Sequence, residues 1–114
     1  MNKLLCFAFC LFLSIAPAIT WGAGLSGVTT IKTLHIESSY FAWVVPPAPF
    51  SNPDACGSSQ GALLLTSNGG YQEILVLLME AYAIGANVQF YFSGCATTPW
   101  GFTAPVIYSM DINP

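Results

Sequence analysis

Positive charge is almost missing from this sequence. Among 114 residues there are two lysines, Lys3 and Lys32, and no arginine, against five acidic residues. Proteins that bind nucleic acid replace the counterions of the phosphates with a stripe of basic side chains. We therefore exclude nucleic acid as a partner of this chain.

Charge of either sign is scarce as well. Only 6% of the residues are charged, whereas 14% are aromatic. A small domain of this composition must place apolar side chains, hydroxyls and amides over much of its surface. Such surfaces commonly mark oligomer contacts or ligand-binding platforms.

No apolar run reaches the ~20 residues that a membrane-spanning helix needs. The longest run, Leu4 to Ile15, follows the positive Lys3 and ends at the small residues Ala16-Pro-Ala18. This pattern predicts a secretory signal peptide over residues 1–18, with Gly22 as an alternative cleavage point. The mature chain, residues 19–114, is then one small domain that we expect to be secreted or periplasmic, with no stable membrane span.

Cysteine is sparse in the mature chain, because Cys6 and Cys10 leave with the signal peptide and only Cys56 and Cys95 remain. In an exported chain two such thiols favour a disulfide. The bond would close a loop of about 40 residues and contribute roughly 4 kcal/mol in the chain-entropy model. No metal or cofactor is indicated, since two distant thiols and the single His35 are too few ligands.

One helical pattern stands out from the rest of the sequence. Apolar residues recur at helical spacing from Tyr71 to Ile84, Glu73 lies in the first turn, and Gly85 offers a left-handed C-terminal stop. The pattern predicts a single helix over residues 71–84.

The outward side of this helix is less polar than expected. Val76 and Met79 lie between Glu73 and Glu80, whereas the free face of a monomer's helix should be largely polar. We name these four residues the outer helix face and predict that they contact another subunit.

The remaining mature chain has the patterns of strands and loops. Five strands are predicted, at residues 28–36, 40–45, 62–66, 88–92 and 105–112. A bulge near Lys32 or Thr33 makes the first strand long and bent, after a flexible segment at residues 24–27. The first two strands form a hairpin through Ser38-Ser39. Asn52 caps its own backbone in a turn before Cys56, and residues 94–101 form an irregular loop.

Three strands, a helix and two strands is also the element order of the five-stranded oligonucleotide/oligosaccharide-binding (OB) barrel. In that topology the third and fifth strands are parallel neighbours, and the start of the third comes close to the end of the fourth. Cys56 precedes the third strand and Cys95 ends the fourth, so the barrel topology brings both thiols together. The sequence thus predicts a mainly β protein with one α-helix, a Greek-key OB barrel and a Cys56–Cys95 disulfide.

Several stretches are similar to a known group of proteins. They are Ser26-Gly-Val-Thr-Thr-Ile31, the helix end at residues 78–85, the strand at residues 88–92 and the turn Thr98-Pro-Trp100. In them the chain resembles small secreted OB-fold bacterial proteins, most closely the B subunits of subtilase-type AB5 toxins. The resemblance implies a pentameric ring, lined centrally by helices, that binds host glycans. No sugar-contact residue of that group transfers position by position.

Patterns for catalysis are weak. Ser39, His35 and Glu37 could be drawn as a triad, but a surface histidine on a strand is the better interpretation. Glu73 and Glu80 are roughly 10 Å apart along the helix, at the far limit for an inverting pair of carboxylates. We expect no enzymatic activity.

Aromatic residues provide the better candidates for a ligand site, because rings can stack on the apolar faces of sugars. The predicted ligand-binding residues are Trp100, Trp43, Tyr91, Asp54 and Asn52, with Phe102 and Gln89 as further candidates. Half or more of these candidate aromatic residues should belong to the core, and Trp100, in its loop, is the one least expected to be fully buried.

The sequence therefore predicts a secreted, non-enzymatic binding module of the toxin-B-subunit kind, with glycans as ligands and a homo-oligomeric ring as its assembly. The alternative is a small periplasmic or extracellular structural protein that binds a protein partner.

Overall fold

The computed structural model describes residues 24–38 and 41–114 and is mainly β-structure with one helix. Its elements are β1 (Gly24–Thr29), β2 (Thr33–Glu37), β3 (Phe41–Val45), β4 (Ala62–Leu65), α1 (Tyr71–Ile84), β5 (Val88–Thr97) and β6 (Thr103–Ile112). The predicted signal peptide, Ser39 and Tyr40 lie outside the described residues. Within the described ranges, no helix is long and apolar enough to cross a membrane.

The strands form one open, six-stranded sheet in the order β1-β5-β6-β4-β3-β2. Neighbouring strands are antiparallel except β4 and β6, which run parallel with Leu63 opposite Val106. The predicted parallel pairing of the strand before the helix with the last strand is therefore confirmed. The number of strands is six rather than five.

The sixth strand arises because the predicted first strand is divided. Residues 30–32 leave the sheet, β1 pairs with β5 and β2 pairs with β3. Ile31, at the bend, is buried in the core. The prediction of a single bulge near Lys32 or Thr33 is thus wrong, because the strand is interrupted over residues 30–32, where Ile31 is buried.

The segment at residues 24–27, predicted to be flexible, instead opens β1. A bulge shifts the register between Leu25 and Val28, and Gly27 has a φ of 81°, which favours glycine. The Ser26 hydroxyl occupies the gap: it accepts a hydrogen bond from the Phe90 N–H at 2.8 Å and donates one to the Gly27 carbonyl at 2.7 Å.

The helix has the predicted bounds and the predicted stop. Gly85 is left-handed at a φ of 65°, and the Ala86 N–H donates to the Ala81 carbonyl at 3.0 Å. Ile74, Leu78 and Ala81 are buried on its inner side, which packs against β2, β4 and β6.

The β3–β4 pair carries apolar residues on both faces. Ala42 and Val44 belong to the main core, together with the helix and the inner side of β5. Phe41 and Leu63 belong to a second, smaller cluster on the opposite face. The alternation follows the period of two of a strand, and it leaves the second face to be covered by another part of the chain.

The predicted disulfide joins Cys56 to Cys95, with the two Cα atoms 5.7 Å apart. Cys95 lies within β5 rather than at its end, because the β5–β6 hairpin continues to Thr97 opposite Thr103. The predicted loop at residues 94–101 is accordingly replaced by a shorter connection at residues 98–102. That connection covers the second face of β3 and β4.

Candidate ligand-binding platform

Five rings gather on the outer face of the sheet, and we name them the Trp100 platform. They are His35, Phe41, Trp43, Trp100 and Phe102. The centroid of the Trp100 ring lies 5.3 Å from that of Trp43, 6.0 Å from those of Phe41 and Phe102, and 6.5 Å from that of His35. Trp100 is thus the ring that contacts all four others.

Strand pairing and a closed loop hold these rings in place. His35 lies directly opposite Trp43 in the β2–β3 ladder. The loop between β5 and β6 brings in Trp100 and Phe102, and both the backbone N–H and the hydroxyl of Thr98 donate to the Phe102 carbonyl, at 2.8 and 3.0 Å. The loop therefore presents Trp100 from a bonded frame.

A glycine makes room for the platform. The indole of Trp43 packs on Gly61, where an added Cβ would lie 2.6 Å from Trp43 Cε2 and 2.8 Å from Cη2. No ordinary packing contact is that short. Gly61 therefore allows Trp43 to lie close to the backbone ahead of β4.

The rings differ in their exposure to solvent. Phe41 is buried and Trp43 and Phe102 are half-buried, whereas Trp100 is 51% exposed. Trp100 also stacks on Phe102 at an interplanar angle of 27°. The inner rings support Trp100, and Trp100 itself presents an aromatic surface to solvent.

A cleft of about 590 Å³ lies beside Trp100. Its apolar lining is formed by Phe41, Leu65, Pro99 and Trp100, and its polar lining by Glu37, Thr97 and Thr98. This combination of an apolar surface with a few polar groups is typical of small-ligand sites.

The polar groups of the cleft are only partly engaged. His35 Nε2 and Glu37 Oε2 are 3.0 Å apart, and both side chains are about half exposed. The Thr98 hydroxyl is bonded within its own loop. Within the described residues, neither Glu37 Oε1 nor the Thr97 hydroxyl has a hydrogen-bond partner. Both oxygens can accept hydrogen bonds from a ligand.

Of the predicted ligand-binding residues, the structure brings Trp43 and Trp100 together and leaves the other three elsewhere. Tyr91 contacts Tyr108, with centroids 6.1 Å apart, on the β1–β5–β6 part of the sheet. Asn52 and Asp54 lie in the loop beside the disulfide. Within the described part of the chain, no ring contact or hydrogen bond joins these three to the platform.

The polar atoms of Asn52 and Asp54 already have structural roles. Asn52 bonds the backbone N–H and carbonyl of Cys56 at 3.0 and 2.9 Å, which confirms the predicted cap. Asp54 Oδ2 accepts a hydrogen bond from the Gly94 N–H at 2.8 Å. Among the described residues there is no cluster of three or more histidine, cysteine or acidic side chains that could hold a metal ion.

The outer helix face is as exposed as its sequence suggests. Val76 is 62% exposed and Met79 is 50% exposed, and Glu73 and Glu80 beside them are exposed as well. The face is separate from the Trp100 platform, because its residues do not line the cleft.

Sequence reasoning missed His35 and Glu37 as members of the site. From the sequence they are candidates only as members of a catalytic triad with Ser39, and a surface histidine on a strand is the better interpretation; the register of β2 against β3 is what sets His35 opposite Trp43. No protein-family model matches this chain, and comparison with curated protein sequences gives no match.

Proposed function

We propose that this protein is a secreted, non-enzymatic binding module that recognises glycans through the Trp100 platform. The observation that carries the proposal is the half-exposed Trp100, backed by Trp43 and Phe102 beside a cleft that contains a carboxylate and hydroxyls. Pyranose rings present apolar C–H faces that stack on indole, and their hydroxyls need polar partners at the edge of the stack.

The proposed scaffold is an OB barrel. Its support is that β1 and β2, the two edges of the sheet, are consecutive in the chain and separated only by residues 30–32. The Lys32 N–H donates to the Val45 carbonyl at 2.8 Å, so the β2–β3 ladder begins at this bend. A bent first strand that serves both ends of the sheet is what a closed Greek-key barrel requires.

The position of the platform fits this scaffold. In OB folds the ligand lies on the second and third strands and the neighbouring loops, which correspond here to β3, β4 and the β5–β6 loop. The resemblance to toxin B subunits supports the same class of ligand, and it supports a pentameric ring as the assembly.

Screening the exported protein on a glycan array, followed by titration with the glycans that bind, tests the function. We expect binding to a subset of glycans, and we expect Trp100→Ala to reduce it at least about tenfold, in line with the cost of losing a stacked aromatic ring. Tyr108→Ala removes another exposed aromatic ring outside the platform and should leave binding unchanged. Absence of binding to every glycan, or equal losses in both variants, would refute the proposal.

The second candidate function is a structural or interaction role with a protein partner. It is favoured by one observation, the exposure of Val76 and Met79 on the outer helix face. A protein of this kind would bind no glycan and would lose its assembly, rather than a ligand, when this face is changed. Comparing the effects of Trp100 and Val76 variants therefore separates the two functions.

A further inference from the structure

We infer that the Trp100 platform selects uncharged saccharides, with Glu37 as an acceptor for their hydroxyls, and that it rejects sialylated, sulfated or uronic-acid glycans. The inference rests on the proposed glycan-binding function and narrows its ligand class.

The first step concerns what Glu37 offers to a ligand. Its Oε2 is 3.0 Å from His35 Nε2, and its side chain is 46% exposed at the cleft. Residues 35 and 37 lie on the same face of β2 because side chains alternate along a strand. His35 therefore holds one carboxylate oxygen, and Oε1 is left to accept a hydrogen bond. A carboxylate offers acceptors only, and sugar hydroxyls are donors that form strong, charge-assisted bonds with it.

The second step concerns what the cleft lacks for an acidic ligand. Among the described residues, no lysine or arginine lines it. The described part of the chain contains one lysine, Lys32, and no arginine. Lys32 lies five residues before Glu37, roughly 16 Å along an extended strand. His35 does not line the cleft, and its Nε2 is already paired with Glu37 Oε2. An acidic group on the sugar would thus approach the Glu37 carboxylate without a counter-charge.

The third step is the size of the effect. Two like charges about 4 Å apart at a protein surface repel strongly enough to change a binding equilibrium by about tenfold or more.

The cleft volume of about 590 Å³ lies within the usual range of small-ligand sites, about 300–1,000 Å³. The site therefore has room for a terminal sugar unit, and its charge sets which unit is accepted.

The experiment uses pairs of glycans that differ by one acidic group, such as a galactose-terminated chain with and without a terminal sialic acid. Affinities are measured by titration of the exported protein. We expect the neutral member of each pair to bind at least about tenfold more tightly. Because a neutral ligand has no net charge to screen, its affinity should change less than about twofold between low and high salt.

Two variants assign the selectivity to Glu37. Glu37→Gln keeps the shape and removes the charge, so the ratio of neutral to acidic affinity should fall by about tenfold. Asp111→Asn is the matched control, because it also removes one acidic charge. Thr103 lies opposite the cleft residue Thr97, and Asp111 is eight residues farther along β6, roughly 26 Å from Thr103. Its replacement should therefore leave the ratio unchanged.

The outcomes separate this inference from the proposed function. Equal or tighter binding of the acidic glycans, with Trp100→Ala weakening both members of a pair, would overturn the selectivity and leave glycan binding in place. An unchanged ratio in Glu37→Gln would overturn the role of Glu37. Absence of binding to any glycan would overturn both the inference and the function on which it rests.

Discussion

The indole rings of Trp43 and Trp100 lie edge to face, with centroids 5.3 Å apart and an interplanar angle of 65°. One ring comes from β3 and the other from the loop between β5 and β6. The contact places the exposed Trp100 on a base that already includes the buried Phe41. A ring held in this way loses little conformational freedom when a ligand stacks on it, which favours binding.

Gly61 should be essential for this base. In Gly61→Ala the new Cβ would lie 2.6 Å from Trp43 Cε2, so the indole must move. We expect a loss of about 1–3 kcal/mol in the free energy of unfolding, together with a change in tryptophan fluorescence as Trp43 separates from Trp100. Urea denaturation followed by fluorescence measures both.

Gly69→Ala is the control for this prediction. An added Cβ at Gly69 meets nothing within 4 Å, so we expect a change within about 0.5 kcal/mol. If Gly61→Ala were as harmless as Gly69→Ala, Trp43 would not depend on the glycine beneath it.

The helix could be predicted from the sequence because its signals are local. The spacing of apolar residues between Tyr71 and Ile84, and the stop at Gly85, need no knowledge of distant residues, and both are confirmed. The Cys56–Cys95 disulfide was also predicted correctly, because setting aside the predicted signal peptide leaves two cysteines and therefore one pairing.

The strand register could not be predicted in the same way. A two-residue turn at Ser38-Ser39 would set Glu37 opposite Tyr40, whereas Glu37 lies opposite Phe41. A shift of one residue reverses which face each side chain occupies. The gathering of His35, Trp43 and Trp100 depends on that register, so the sequence indicated an exposed Trp100 but not the platform around it.

Ser26 should contribute to stability through one hydrogen bond. Its hydroxyl accepts from the Phe90 N–H at 2.8 Å at the β1 bulge, where both side chains are buried. Ser26→Ala leaves that N–H without its partner, and we expect a loss of about 1–3 kcal/mol. Thermal and urea unfolding measure the loss.

Ser109→Ala provides the comparison for Ser26. Ser109 is an exposed serine on β6 opposite Tyr91, and its replacement should change stability by less than about 0.5 kcal/mol. Equal stability of the two variants would show that another group satisfies the Phe90 N–H.

The disulfide should stabilise the fold mainly by restricting the unfolded chain. Cys56 and Cys95 are separated by 39 positions, and replacing both with alanine should lower the free energy of unfolding by about 2–4 kcal/mol. The denaturant dependence should steepen, because the unfolded chain without the bond exposes more surface. Reduced wild-type protein should match the variant, and a variant as stable as the oxidised protein would contradict this role.

The outer helix face should hold the proposed ring together. Val76 is 62% exposed, so Val76→Asp has little to disturb inside the monomer, and the cost to stability should stay near the helix propensity of aspartate, about 0.7 kcal/mol. In a ring lined by helices the same change adds a negative charge to every subunit beside Glu73 and Glu80, and like charges at this spacing repel. We expect the molar mass from light scattering to fall to that of the monomer.

Val28→Asp is the control for this prediction. Val28 is 57% exposed on β1, and its replacement should leave the molar mass unchanged. A wild-type protein that is monomeric at micromolar concentration, or a Val76→Asp protein of unchanged mass, would exclude this face as the contact between subunits.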